Sequence, residues 1–135
     1  MQSAEPVVET VRIAALPETV FRYFTEPAAL VQWLGERAEL EPRPGGGFVV
    51  VIRGETVRGE YVEVQPPHRL RITWGREGSS AMPPGSTELD IRLDAVDGGT
   101  LVTLVHHGLP AQEAARHREG WRYFLPFLAG CVPRS

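Results

Sequence analysis

The chain is predicted to fold as an α+β domain. A curved antiparallel sheet of about seven strands wraps around one long C-terminal helix, and two short helices follow the first strand. Three observations predict this. The stretch 109–132 carries Ala114, Trp121, Phe124, Leu125, Leu128 and Val132 on one apolar stripe of a 3.6-residue helix. Between residues 38 and 107, apolar and polar side chains alternate between Gly- and Pro-rich turns, as in strands buried on one face. Two brief helical patterns, opened by Pro17-Glu18 and by Glu26-Pro27, come after a single strand and before any other.

The first strand covers residues 7–14, with Val11 and Ile13 on one face and Thr10 and Arg12 on the other. Val20, Phe21 and Phe24 make the buried side of the first short helix; Leu30, Trp33 and Leu34 make that of the second. Strands follow at 38–41, 48–53, 57–64, 69–74, 87–95 and 100–107, most simply as an antiparallel meander. The turn Asp97-Gly98-Gly99 reads as a hairpin connection. Alternation turns Phe48, Val50, Ile52, Val62, Val64, Leu70, Ile72, Trp74, Leu89, Ile91, Leu93, Val102 and Leu104 inward. On the opposite face Arg69 and Arg71 meet Glu88, Asp90 and Arg92 as cross-strand pairs on a wet surface. The long helix starts after Gly108-Leu109-Pro110, with Glu113 near its positive end. Gly130 and Pro133 mark its finish. Within it, Gly120 is expected to permit close backbone packing, and Pro126 either kinks or ends the helix.

At 135 residues, with 42% hydrophobic and 23% charged side chains, the chain has the size and composition of one globular domain, spanning residues 1–135. A formal net charge of −3 without a basic run argues against nucleic acid as a partner. No window is long and apolar enough for a membrane span, and the N-terminus lacks the charged and apolar regions of a signal peptide. Cys131 is alone, so no disulfide framework exists and a cytoplasmic location is expected. All 14 basic residues are Arg; without Lys, Schiff-base chemistry is excluded. Gly45-Gly46-Gly47 precedes a strand rather than a helix, so it is a turn and not a phosphate cradle, and no cofactor is expected. No metal site is expected either, because the adjacent His106 and His107 point to opposite faces of a strand.

The order of elements resembles that of the helix-grip domains, also called START-like or birch-pollen-allergen-like. Local text narrows the resemblance. Val11-Arg12-Ile13-Ala14-Ala15, Glu26-Pro27 with Trp33, and Glu39-Leu40-Glu41-Pro42-Arg43-Pro44-Gly45-Gly46 are similar to bacterial homologues of the activator of the heat-shock-protein-90 ATPase. So are Gly59-Glu60, Pro66-Pro67-His68-Arg69-Leu70, Thr73-Trp74, Gly108-Leu109-Pro110 and Gly120-Trp121. Glu26 stands where that family prefers Asp, and Pro126 interrupts a helix that is usually continuous. The resemblance implies the helix-grip fold and, from the wider superfamily, an interior that holds an apolar molecule.

If the sheet grips the helix, their facing sides enclose a space lined by Leu30, Trp33, Phe48, Val50, Trp74, Leu89, Leu104, Trp121, Phe124 and Leu128. An empty space of about 300 Å³ would cost on the order of 7 kcal/mol, as much as a whole small domain's stability. The interior is therefore packed, watered or occupied. Alternation places Glu60 on the face of Val62 and Val64, and His106 on that of Val102 and Leu104, while His117 projects from the helix. A carboxylate and imidazoles in an apolar pocket would have perturbed proton affinities, or would simply hydrogen-bond each other. Met82, in the polar loop 75–86, is placed at the gate of the cavity. Three functions are consistent with these residues. The first is binding of a small apolar or amphipathic molecule. The second is cyclase-like catalysis by Glu60 and His106, as the resemblance to the polyketide branch of the superfamily implies. The third is a chaperone-associated role, as the family's name implies. A homodimer is compatible with each.

Overall fold

The computed structural model describes residues 5–135; residues 1–4, part of the N-terminus read for a signal peptide, lie outside them. The elements run β1 (Val7–Ile13), α1 (Pro17–Arg22), α2 (Pro27–Leu30), β2 (Arg37–Leu40), β3 (Gly47–Ile52), β4 (Glu55–Gln65), β5 (Arg69–Trp74), β6 (Thr87–Val96), β7 (Gly99–His107) and α3 (Ala111–Cys131). The seven strands form one antiparallel sheet in the order β1-β7-β6-β5-β4-β3-β2. Strands β2 to β7 are thus a meander, as expected from the alternation. Only β1 departs from sequence order, pairing with β7 from Val7↔His106 to Ile13↔Thr100.

One apolar layer fills the space between sheet and helices. Leu70, Ile72, Leu89, Ile91, Leu93, Val102 and Leu104 rise from the sheet into it. Trp121, Leu125, Leu128 and Val132 enter from α3, and Val20, Phe24, Leu30 and Trp33 from the region of α1 and α2. Two buried polar groups are tied off locally: Tyr61 Oη donates to the Phe24 carbonyl at 2.9 Å, and Trp33 Nε1 to the Tyr23 carbonyl at 3.0 Å. On the outer face Arg69 clasps Asp90 with two nitrogens, and Arg71 bridges Glu88 and Glu63.

Two expectations about local structure are corrected. The alternation of β4 has the opposite phase along most of its length: Val57, Gly59 and Tyr61 face inward, whereas Glu60 and Val62 are exposed. The cause is a β-bulge between Tyr61 and Glu63, which inserts one residue and reverses side-chain parity. Counting back from Val64 across that bulge turns Glu60 to the wrong face. Pro126, in turn, does not end α3, which continues through it to Cys131. Its missing N–H removes a single bond within a helix whose far half is held by the buried Leu125, Leu128 and Val132.

Candidate functional site

Helix α3 carries two adjacent stripes. Ala114, Trp121, Leu125, Leu128 and Val132 face the sheet and are buried. His117, Gly120, Trp121 and Phe124, at i, i+3, i+4 and i+7, border a cleft toward the β3–β4 hairpin, and Trp121 belongs to both. The cleft has a volume of about 420 Å³. Its walls add Leu34, Ile52, Val57, Trp74 and Met82 as apolar surface, and Arg53, Glu55, Arg76, Arg116, Glu119 and Tyr123 as polar or amphipathic rim. That size falls in the range of small-molecule pockets, which are mostly apolar with a few polar groups.

The interior expected to hold a molecule is instead filled. Between Phe24, Leu30, Trp33, Leu34, Phe48, Ile72, Leu89, Ile91, Leu104 and Trp121 about 10 Å³ remains, marginal even for one water. Aromatic volume closes it: Phe24 and Trp33 meet edge to face at 5.3 Å, and Phe48 packs against Tyr61 at 5.7 Å and Trp74 at 6.1 Å. Of the residues expected to line one space, Trp74, Met82, His117, Trp121 and Phe124 border the cleft. Leu30, Trp33, Phe48, Leu89 and Leu104 surround the closed interior, while Val50 and Leu128 are buried core. Glu60 stands outside on β4, so a pairing with His106 is ruled out.

His106 is fully buried behind the cleft floor and belongs to a directed chain of hydrogen bonds. Trp121 Nε1 donates to His106 Nδ1 at 3.1 Å, so the ring proton sits on Nε2. That nitrogen donates to Thr87 Oγ1 at 2.9 Å, and the Thr87 hydroxyl donates to the Trp74 carbonyl at 2.7 Å. Burial, followed by the neighbouring His117 and His107, holds the His106 pKa well below the usual imidazole value. Both ring nitrogens are engaged, and the neutral ring is the form the site accommodates. His107, the next residue, is exposed on the opposite face.

His117 is the imidazole that borders the cleft. Its Nδ1 donates to the Glu113 carbonyl one turn earlier at 3.0 Å, leaving Nε2 without a protein partner among the described residues. Burial lowers its pKa; the backbone bond to Glu113 and the Glu113 charge oppose that, while Arg76 and Arg116 add to it. The Glu113 carboxylate lies 3.5 Å from His117 Nδ1 and is paired through its other oxygen with Arg76 Nη2 at 3.0 Å. His106 and His117 meet edge to face at 5.1 Å, and Trp74 packs against Trp121 at a tilt of 54°, 5.3 Å between ring centres. Trp74 Nε1 is buried without an acceptor among the described residues.

Two parts of this site were not read from the sequence. The loop 75–86 is pinned along β4 rather than standing as a free gate: Arg58 N–H donates to Gly75 O, Glu77 N–H to Thr56 O and Gly85 N–H to Arg58 O. Met82 is consequently buried in the cleft wall. The β3–β4 turn brings Arg53 to the mouth. Ile52 pairs with Glu55 across a two-residue turn, with φ +52° at Arg53 and +80° at Gly54, the twist that suits a hairpin. The dipeptide Arg53-Gly54 between two apolar runs was the available signal. Gly120 also differs from expectation: an added Cβ would meet nothing within 4 Å, so it borders open space rather than a close backbone.

Comparison with known proteins agrees with the fold. The family model described as Activator of Hsp90 ATPase homolog 1-like protein matches residues 14–132. The mouse protein named Activator of 90 kDa heat shock protein ATPase homolog 1 is 31% identical over 112 residues, covering 81% of this chain and 31% of its own length. The chain therefore spans about a third of the curated relatives it matches. An AHSA1-like protein from Rhizobium etli is 38% identical with a TM-score of 0.75, over 98% of this chain and 88% of that one. CalU16 from Micromonospora echinospora is 28% identical with a TM-score of 0.76, over 94% and 75%. The sheet topology, the gripped helix and these matches agree: the chain belongs to the Activator of Hsp90 ATPase homolog 1-like family.

Proposed function

We propose that this chain binds a small amphipathic molecule in the cleft between α3 and the β3–β4 hairpin. The observation that carries the reading is the cleft itself: about 420 Å³ walled by Trp74, Trp121, Met82, Ile52 and Val57 under a charged rim, beside an interior that is otherwise packed. Aromatic and thioether walls take up apolar molecules of varied shape. The partnerless His117 Nε2 and the rim guanidinium groups give such a molecule's polar end somewhere to bind. Native mass spectrometry of the purified protein, with thermal-shift screening against amphipathic compounds, tests this. A bound or stabilising compound whose effect disappears in Gly120→Leu, which builds a side chain beside the cleft, is the expected result. Absence of any such compound overturns the reading.

Contact with a chaperone of the Hsp90 type is a second reading, supported by the 31% and 30% identity to two relatives named for that activity. Because the match covers 31% of those relatives' own length, this role is tested directly by a pull-down with the purified chaperone.

A further inference from the structure

We propose, building on ligand binding in the cleft, that the occupant is an amphipathic carboxylate whose acid group pairs with Arg53. Arg53 is held in place before any ligand arrives. The Glu36 carboxylate accepts the Arg53 and Gly54 N–H groups at 2.9 and 3.2 Å, securing a turn in which Arg53 has a positive φ. Its guanidinium carbon lies 4.9 Å from the centre of the Tyr123 ring and 5.3 Å from that of Phe124. A guanidinium held over ring faces by its charge spends no N–H donor on them, so the donor fork that matches a carboxylate remains available.

The neighbouring charges are already committed. Arg76 pairs with Glu113 and Glu55, and Arg116 with Glu55, whereas Arg53 has no ion-pair partner among the described residues. Three guanidinium groups and two carboxylates border the cleft, and Glu119 is the carboxylate there without an ion pair among the described residues. Standing one helical turn before Tyr123, Glu119 works against an acid in the cleft, and the pairing with Arg53 has to outweigh it. An acid at Arg53 leaves the rest of the molecule the apolar wall of Trp74, Trp121 and Met82.

Isothermal titration with three shape-matched probes, 2-naphthoate, 2-naphthamide and 2-naphthylmethylammonium, tests this on the intact chain. The naphthoate should bind about fivefold more tightly than the amide, as one partly exposed charge pair allows. The ammonium should bind weakest. Arg53→Asn, a residue that tolerates the positive φ, should erase the preference of acid over amide. Arg53→Lys should restore part of it, and Glu119→Gln should enlarge it. Equal binding of acid and amide to the wild type, or tightest binding of the ammonium, overturns the carboxylate assignment and leaves the cleft reading standing. If none of the probes binds, both fall.

Discussion

Trp121 Nε1 donates to His106 Nδ1 across 3.1 Å, and that bond links the α3 stripe to the end of β7 through the ring least able to carry a charge. The acceptor nitrogen must keep its lone pair, so the packing of helix on sheet is tied to a neutral histidine. Replacing His106 with Leu keeps most of the volume but strands the indole N–H and removes the donor to Thr87. A loss of about 2–4 kcal/mol in urea unfolding is expected. An unchanged midpoint would show that the chain of bonds contributes nothing.

The same ring makes stability depend on pH. His106 and His117 both have pKa values below that of an unfolded histidine. Below about pH 6.5 the unfolded chain binds protons that the folded chain refuses, so stability falls as pH falls through that region. Each histidine contributes at most about 1.4 kcal/mol per pH unit. Urea midpoints measured between pH 7.5 and 5 should decline, and less steeply in His106→Leu. A flat profile would contradict the buried neutral ring.

The Glu113–His117–Arg76 cluster gives a prediction of opposite signs. Glu113 favours the charged imidazole and Arg76 opposes it. Glu113→Gln should therefore lower the His117 pKa further, and Arg76→Met should raise it. Titration of the His117 ring protons by NMR distinguishes the two, and a shift in the same direction for both variants would rule out this electrostatic account.

Gly120 sits inside α3 with open space where a Cβ would stand. Gly120→Ala should stabilise the protein by about 0.5–1 kcal/mol through helix propensity alone. A lower thermal midpoint would mean that this space is needed for packing.

How far the sequence could be read follows from the range of its signals. The helix stripe and the alternation of β3, β5, β6 and β7 are local periodicities, and each was legible. The parity of β4 was not, because the bulge after Tyr61 depends on its partner β5. Nor was the position of the open space. Whether Trp33 and Phe48 fill an interior depends on how their rings meet those of Phe24, Tyr61 and Trp74, which no spacing encodes. Arg53 reaches the cleft because a two-residue turn lies beside Tyr123, which comes 70 positions later in the chain.

The indole N–H signals in a two-dimensional NMR titration with 2-naphthoate test most directly whether molecules enter the cleft rather than the interior. The chain has three tryptophans, with Trp74 and Trp121 bordering the cleft and Trp33 bordering only the closed interior. The Trp74 and Trp121 signals should move saturably while that of Trp33 stays in place. Movement of Trp33 together with the methyl groups of Leu89 and Leu104, or no movement at all, would contradict the account.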